Sequence, residues 1–236
     1  MLQNLMHPDT AARDTLLQWL VAQIVHIPAA GVTRVALDGV DGAGKTMFAD
    51  ELAPLLASAG RRVMRASVDS FHHPRMVRYR LGHASPEGFY RDSYDYAQLR
   101  TVLLDPLSPG GHGRYRSAVF DHRVDAPIIV AEAQALPGDI LVFDGIFLHR
   151  PELRGYWDYS IFLHVNVEVS VQRCAQRDGG SPDPHAPENR RYVEGQQIYL
   201  REATPHQHAS VVINHNDVAQ PWVMCCRLQA AEPEAD

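Results

Sequence analysis

Lys45 is the only lysine in a chain of 236 residues, and the residues around it are suited to binding phosphate. It lies in the octet Gly39-Val40-Asp41-Gly42-Ala43-Gly44-Lys45-Thr46, which fits the pattern G-x-x-x-x-G-K-S/T at each fixed position. Backbone N–H groups of such a loop turn toward a phosphate, and the lysine ammonium reaches the β- and γ-phosphates of a nucleotide. The Thr46 hydroxyl is suited to Mg²⁺. We therefore expect ATP to contact Gly39, Asp41, Gly42, Ala43, Gly44, Lys45 and Thr46.

Two aspartates that follow apolar runs are candidates for the same site. Asp144 ends the run 140–143, which is typical of a strand that brings a carboxylate to the magnesium ion beside a nucleotide. Asp69 follows the run 62–68 and is expected to act as the base that accepts a proton from the acceptor hydroxyl. The simpler interpretations are an Asp-Gly turn at Asp144 and a turn-capping aspartate at Asp69. Taken with Lys45, the two carboxylates favour phosphoryl transfer, with Thr46 and Asp144 as metal ligands.

Strands and helices must bring these residues together, and the hydrophobic pattern predicts both. A helix is expected from about Asp9 to Val25, within an N-terminal segment of residues 1–30, and another at 46–59. The alternation of elements predicts an α/β fold of the P-loop NTPase class, with three α/β/α layers and a mostly parallel, five-stranded sheet. Ligands of such sheets bind at the carboxyl ends of the strands. The candidate strands are 34–38, 62–68, 128–131, 140–143, 159–165 and 211–213.

Residues 70–126 interrupt this alternation with a segment rich in arginine, tyrosine, glycine and proline. The composition is typical of an insertion that binds the phosphate acceptor, and a solvated loop held by aromatic contacts is the alternative interpretation. The expected acceptor contacts are His72, Arg78, Tyr90, Asp92, Tyr115, His122 and Arg123.

A flexible segment at 179–184 lies between two pairs of arginines, within a region, 173–202, that is predicted to form a lid. Arginine side chains on a lid neutralise the charge that develops during phosphoryl transfer, and Arg177 is the candidate for a catalytic role. A solvated helix face is the alternative. The expected ATP contacts in this region are Arg173, Arg177, Arg190 and Arg191.

Length and composition indicate a single domain over residues 1–236, with an acidic tail at 228–236 that is expected to be disordered. The net charge of −6 argues against binding to nucleic acid, and no apolar run reaches the ~20 residues of a membrane helix. The N-terminus lacks a secretory pattern and the three cysteines form no disulfide framework, so a cytoplasmic location is expected. A structural metal at the histidine pairs is not favoured, and a homo-oligomer stays open.

These motifs resemble those of the uridine kinase and phosphoribulokinase family of P-loop kinases, from residue 39 to about 217. The resemblance implies that Asp69 is the base facing the 5′-hydroxyl of a nucleoside and that Tyr115 and His122 lie where the pyrimidine is read. It also implies that Arg173 and Arg177 meet ATP. The octet is similar to that of thymidylate kinases too, which lack an Asp-Ser-Phe after the second strand. The shared motifs are GVDGAGKT, Asp-Ser-Phe at 69–71, Tyr115 with His122-Arg123, VFDG at 142–145, Arg173-x-x-x-Arg177-Asp178, and Tyr199 with Pro205 before 209–213.

The chain departs from the uridine kinase pattern around the acceptor. His72 stands where a tyrosine usually follows Asp-Ser-Phe. Phe89 aligns with the acid that holds the ribose diol, for which Asp92 or Asp95 is a candidate substitute. These changes concern the acceptor and leave the phosphate motifs intact.

Three hypotheses for the activity remain. The first is an ATP- and Mg²⁺-dependent kinase of uridine or cytidine. The second is the same chemistry on another small alcohol, such as a sugar phosphate, pantothenate or glycerate, and the arginines at 75, 78 and 80 favour an anionic acceptor. The third is a nucleotide-dependent switch or assembly factor, which needs no acceptor pocket.

Overall fold

The computed structural model describes residues 13–28 and 30–227 of the chain. The predicted start of the first helix near Asp9 and the predicted disordered tail at 228–236 lie outside the described residues. Within them, strands and helices alternate as predicted. The strands are β1 Thr33–Gly39, β2 Val63–Ser67, β3 Arg114–Tyr115, β4 Phe120–Asp121, β5 Ala126–Pro127, β6 Ala133–Gln134, β7 Ile140–Gly145, β8 Tyr159–His164, β9 Val211–Asn214 and β10 Trp222–Cys226. The α-helices are α1 Arg13–Val25, α2 Lys45–Ser58, α3 Arg75–Arg78, α4 Pro86–Asp92, α5 Tyr96–Leu99, α6 Val167–Asp178, α7 Arg190–Ala203 and α8 Pro205–His208.

Six strands form the central sheet, in the order β10-β9-β8-β1-β7-β2. The first five strands along the chain that belong to it pair in parallel, and β10 pairs antiparallel with β9. The prediction of a mostly parallel sheet is confirmed, with one strand more than expected. The additional strand, β10, lies at the edge of the sheet and is mostly exposed, so its sequence lacks the pattern of a buried strand.

The predicted strand at 128–131 is wrong. These residues connect β5 to β6 outside any strand, and Ile129 is 99% exposed. The apolar run there is not buried in the sheet, and the neighbouring strands form two short antiparallel pairs, β4 with β5 and β3 with β6. The insertion therefore continues past the predicted boundary at 126 to the end of β6.

Apolar side chains alternate along the strands and build one core on each face of the sheet, as period-2 strands require. On one face, Val35 and Leu37 of β1 pack in a cluster with side chains of α1 and α2. On the other face, Ala36 belongs to a cluster that contains Tyr199 of α7 and most of the aromatic side chains of the insertion. The three-layer architecture is confirmed.

The order of the strands decides which residues meet. β1 lies between β7 and β8, and β7 separates it from β2, so the carboxyl ends of β1, β7 and β2 are adjacent. The octet, Asp144 and Asp69 follow or end these three strands, at the edge where ligands of parallel sheets bind. None of the helices described over residues 13–28 and 30–227 is long and apolar enough to cross a membrane.

Candidate active site

A cavity of about 560 Å³ lies at this edge, and we call it the loop cavity. Its walls include Lys45, Thr46, Asp69 and Asp144, so the structure brings together the residues expected around the phosphates and the metal. The Lys45 ammonium donates a hydrogen bond of 2.7 Å to the carbonyl oxygen of Val40 within the octet. The loop cavity is lined by Asp41, Gly42, Gly44, Lys45, Thr46, Met47, Ser67, Asp69, Tyr94, Asp144, Gly145, Ile146, Arg173, Gln176, Arg177 and Val218.

Gly42 is required by the shape of the octet. Its φ is +67°, in the left-handed region that favours glycine. A Cβ atom there would overlap the carbonyl oxygen of Ser170 on α6. The hydroxyl of Ser170 also donates to the Asp41 carbonyl oxygen over 2.7 Å, so α6 fixes the octet by direct contact.

Thr46 and Asp144 form an oxygen-rich pair. The Thr46 hydroxyl donates to a carboxylate oxygen of Asp144 at 2.8 Å, and the other oxygen lies 3.0 Å from a guanidinium nitrogen of Arg65. Arg65 also pairs with Asp50 at 2.9 Å and was not identified from the sequence. Hydroxyl and carboxylate oxygens are the hard donors that Mg²⁺ prefers, usually one or two carboxylates with phosphate and water. The donor set at Thr46 and Asp144 therefore fits a magnesium ion.

Asp69 lies in a 3₁₀ turn, Val68–Phe71, directly after β2, and its side chain is exposed in the cavity. The Tyr94 hydroxyl donates to its carboxylate over 3.3 Å. Burial, and then the charge of Asp69, hold the pKa of Tyr94 well above its usual value, so the phenol stays protonated as a donor. The cap of this turn is Ser67 and not the Asp69 carboxylate, because the Ser67 hydroxyl accepts a hydrogen bond of 3.3 Å from the Asp69 backbone N–H.

A second cavity of about 370 Å³ adjoins the first, and we call it the aromatic cavity. Rings of the insertion, including His72 and His122, line one wall, with a centroid distance of 4.6 Å between those two rings. Helices α6 and α7 form the opposite wall. Burial lowers the pKa of His72 to about 4, so this ring is neutral near pH 7. Five residues line both cavities: Asp41, Asp69, Tyr94, Ile146 and Arg177.

Three of the expected acceptor contacts instead hold the insertion together. Tyr90 is buried in the core, with its ring 5.2 Å from that of Phe147. Asp92 is buried and bound by Arg80 through two hydrogen bonds of 2.7 and 2.8 Å. Arg78 is buried and pairs with Asp125 at 2.9 Å.

Two further expected contacts lie elsewhere. Tyr115 is on β3, close enough to Arg62 and Asp139 for their charges to act on its pKa, which burial raises. Arg62 and Asp139 precede β2 and β7, so Tyr115 lies at the opposite end of the sheet. Arg123 is exposed, and its backbone N–H bonds to the Asp121 carboxylate at 2.8 Å. Asp95, the other candidate for the diol acid, caps α5 through the Gln98 N–H. Of the expected acceptor contacts, the structure therefore places His72 and His122 at the aromatic cavity.

The four arginines of the predicted lid separate into two pairs. Arg173 and Arg177 line the loop cavity. Arg190 pairs with Glu194 on an exposed face of α7 at 2.9 Å, and the guanidinium of Arg191 is buried and donates to the His83 carbonyl oxygen at 2.6 Å. Neither Arg190 nor Arg191 lines the loop cavity, because the start of α7 packs against the insertion instead of facing the octet.

Helix α7 is bonded to the residues that carry the phosphate loop. Gln196 donates to the Asp41 carboxylate at 2.8 Å. One turn later the Tyr199 hydroxyl donates to the Asp38 carboxylate, which also lies 2.6 Å from Nδ1 of His149. Within the predicted lid, helices α6 and α7 are both hydrogen-bonded to the octet. Among the described residues, the segment 179–189 between these two helices forms no hydrogen bond to the octet.

The side chain of His215 contacts the backbone of the octet. Its Nδ1 lies 2.7 Å from the Ala43 carbonyl oxygen, and its Nε2 lies 2.8 Å from a guanidinium nitrogen of Arg13. Because arginine only donates, Nε2 accepts and Nδ1 carries the proton, which is the neutral form of the ring. Burial is the main cause that lowers the pKa of His215 to about 4. The segment around residues 214–217 thus lies beside the octet.

Acid is expected to destabilise the protein through His215. The unfolded chain binds the proton near pH 6.5 and the folded protein only near 4, so this stability is present above pH 6.5 and is lost as the pH falls through that window. From pH 7 to about pH 5 the free energy of unfolding should drop by about 2 kcal/mol from this group. Urea denaturation at both pH values measures the drop. His215→Asn should remove this drop in the free energy of unfolding, and His26→Asn, at an exposed position, should retain it. An equal drop in the two variants would contradict the assignment to His215.

A family model described as the phosphoribulokinase/uridine kinase family matches residues 35–181, which include the octet, Asp69, Asp144 and Arg177. The chain belongs to this family. The phosphoribulokinase/uridine kinase fold also accounts for the position of the octet and Asp144 on neighbouring parallel strands.

Similar curated proteins and solved structures include several that are named kinases. Thymidylate kinases of Xanthomonas campestris pv. campestris are 30% identical over 124 residues, or 52% of this chain and 54% of theirs. The chain thus spans about half the length of the curated relatives it matches. A solved structure named a "possible uridine kinase" from Bacillus stearothermophilus has a TM-score of 0.64 and 23% identity, covering 83% of this chain and 96% of that one. D-glycerate 3-kinase from Cryptococcus neoformans var. grubii has a TM-score of 0.57 and 12% identity, covering 90% and 99%. These likenesses show the shared fold.

Proposed function

We propose that this protein is a kinase that transfers the γ-phosphoryl group of ATP to a hydroxyl group of a small metabolite. The observation that carries the proposal is the position of Asp69, which lines both the loop cavity and the aromatic cavity. A carboxylate between a phosphate site and an acceptor-sized cavity is suited to accept the proton of an attacking hydroxyl. Membership of a kinase family supports the same reaction.

The residues of the loop cavity divide the work. Lys45 and the backbone N–H groups of the octet hold the β- and γ-phosphates. Asp69 accepts the proton of the acceptor hydroxyl while the oxygen of that hydroxyl bonds to the γ-phosphorus. The bond from the γ-phosphorus to the β,γ-bridging oxygen breaks, and ADP leaves. Arg177, which lines the loop cavity and carries a positive charge at neutral pH, neutralises charge on the transferred group. Thr46 and Asp144 would hold Mg²⁺, which neutralises phosphate charge when bound.

The 5′-hydroxyl of uridine or cytidine is our first candidate for the acceptor. The aromatic walls of the second cavity can stack on a flat ring, and the likeness to a structure named a possible uridine kinase supports this choice. Another small alcohol is the alternative within the same chemistry. A nucleotide-dependent switch is less well supported, since it has no need for an aromatic cavity beside Asp69.

Mass spectrometry of phosphorylated products tests the proposal. The protein is incubated with ATP and Mg²⁺ and with uridine, cytidine, pantothenate, glycerate or ribulose 5-phosphate, and Lys45→Ala serves as the control. Product from one of these alcohols that is absent in the control supports a kinase and identifies its acceptor. ATP turnover that responds to none of them, and only to a protein partner, would contradict the proposal and favour the switch.

A further inference from the structure

Besides Asp69, the aromatic cavity is lined by an aspartate of the octet that has no part in binding the acceptor in the mechanism above. Asp41 belongs to the octet, yet its side chain lines the aromatic cavity as well as the loop cavity. One carboxylate oxygen accepts a 2.8 Å hydrogen bond from the amide of Gln196 on α7. The only hydrogen bond found for the carboxylate among the described residues is this one, so its other oxygen is available to a bound molecule.

The charges around Asp41 restrict the chemical groups that a bound molecule can place beside it. Burial, and to a smaller degree the charge of Asp69, raise the pKa of Asp41, whereas Lys45 and Arg177 act in the opposite direction. Hydroxyl and amino groups, which donate hydrogen bonds, would satisfy this oxygen. A carboxylate or phosphate group would add a further negative charge beside Asp41 and Asp69.

The arginines that favoured an anionic acceptor lie outside the aromatic cavity. Arg78 is bound to Asp125 and Arg80 to Asp92, and none of Arg75, Arg78 and Arg80 lines the aromatic cavity. Arg177 does line it, but the proposed mechanism assigns it to the transferred phosphoryl group, and its guanidinium also forms two hydrogen bonds of 2.6 and 2.8 Å with Asp178. Because His72 is neutral above a pH of about 4, it supplies no positive charge at pH 7. The carboxylates that line the aromatic cavity are therefore Asp41, Asp69 and Asp178, against Arg177 as the lining arginine.

We propose that Asp41, oriented by Gln196, binds a second hydroxyl or an amino group of a ring-bearing, non-anionic acceptor and excludes acceptors that carry a carboxylate or phosphate. The flat walls formed by Phe89, Tyr94 and Tyr192, with the two histidines, hold the ring. Asp69 faces the reacting hydroxyl while Asp41 holds another polar group of the same molecule. This inference rests on the proposed kinase activity and narrows its substrate class.

Initial rates with matched neutral and anionic alcohols test the inference. The ring-bearing pair is uridine with orotidine. The acyclic pairs, pantothenol with pantothenate and glycerol with glycerate, test the need for a ring, and transfer to an acyclic alcohol alone would overturn that part of the inference. In the wild type, the neutral member of the productive pair should be preferred by about a hundredfold or more in kcat/KM. Asp41→Asn should raise KM for that neutral acceptor by about tenfold to a hundredfold, as loss of a hydrogen bond to a charged group does. The KM for ATP should change by less than threefold.

Two further variants separate binding of the acceptor from support of the loop. Gln196→Ala removes the bond that orients Asp41 and should raise the acceptor KM in the same direction, by a smaller factor. Asp183→Asn removes a carboxylate outside both cavities and should change neither constant. Thermal unfolding of each variant with ATP and Mg²⁺ reports whether the loop still binds nucleotide.

The outcomes are distinguishable. Equal increases in KM for ATP and for the acceptor in Asp41→Asn would make Asp41 a support of the loop and overturn the inference. A wild type that prefers the anionic member of a pair would also overturn it, while the proposed kinase activity would stand. A wild type that phosphorylates none of the six alcohols and whose ATP turnover responds only to a protein partner would contradict the proposed function, and the inference would fall with it.

Discussion

Lys45→Ala should lower kcat/KM for phosphoryl transfer by about 10²–10³-fold, equivalent to about 3–4 kcal/mol of transition-state stabilisation. The octet contains the one lysine of the chain, and the remaining basic residues of the loop cavity are arginines on α6. Removing a preorganised positive charge from the β- and γ-phosphates leaves the backbone N–H groups to hold them. Single-turnover rates with the acceptor identified by mass spectrometry provide the measurement.

Lys45→Arg is the informative control for this prediction. It keeps a positive charge but replaces a compact ammonium by a planar fork, which is not equivalent where a single phosphate oxygen is contacted. We expect a rate between those of the wild type and Lys45→Ala. Thermal unfolding should show that both variants are folded. A Lys45→Ala protein that transfers phosphate at the normal rate would show that the octet does not serve the reaction.

Asp69→Asn should lower turnover by about 10²–10⁴-fold while leaving the affinity for ATP nearly unchanged. Asparagine keeps the shape of the side chain but cannot accept the acceptor's proton. Rapid-quench measurement of the chemical step, beside a separate titration of nucleotide binding, distinguishes a lost base from a damaged site.

Two variants define the specificity of that result. Asp14→Asn neutralises an exposed aspartate in the first turn of α1, outside both cavities, and should retain full turnover. Tyr94→Phe removes the 3.3 Å hydrogen bond to Asp69 and should produce a smaller loss, with a shift in the pH profile that a purely structural role would not cause. Normal turnover of Asp69→Asn with the true acceptor would show that the base assignment is wrong.

The fold could be predicted from the sequence because its signals are local. The parallel strands inside the sheet are buried on both faces along most of their length, so runs such as 140–143 are continuously apolar, and the octet has a fixed pattern between a strand and a helix. The errors arose where an apolar run is not buried, at 128–131, and where an edge strand is mostly exposed, at β10. Apolar composition alone does not distinguish these cases.

The loop side of the site was predictable for the same reason, whereas the acceptor side was not. Tyr90, Asp92 and Arg78 have the residue types of a binding pocket, but their partners Phe147, Arg80 and Asp125 lie on other segments. Pairing across 12 to 57 residues leaves no pattern in the sequence.

Tyr94 and Gln196 were missed for the converse reason. Each acquires its importance from a carboxylate that the fold brings close, Asp69 for Tyr94 and Asp41 for Gln196. No residue type or spacing in the neighbouring sequence marks either of them.

The bonds from α7 to Asp38 and Asp41 have a consequence for how new substrate ranges could arise in this scaffold. One wall of the aromatic cavity, on α6 and α7, is joined to the octet and to β1 by the hydrogen bonds of Gln196 with Asp41 and of Tyr199 with Asp38. A substitution in that wall would therefore disturb the octet as well as the cavity. The facing wall, which carries His72 and His122, is formed by an insertion that leaves the octet and its helix intact. Diversification of the acceptor should therefore concentrate in the insertion, and libraries that seek a new alcohol should randomise that wall first.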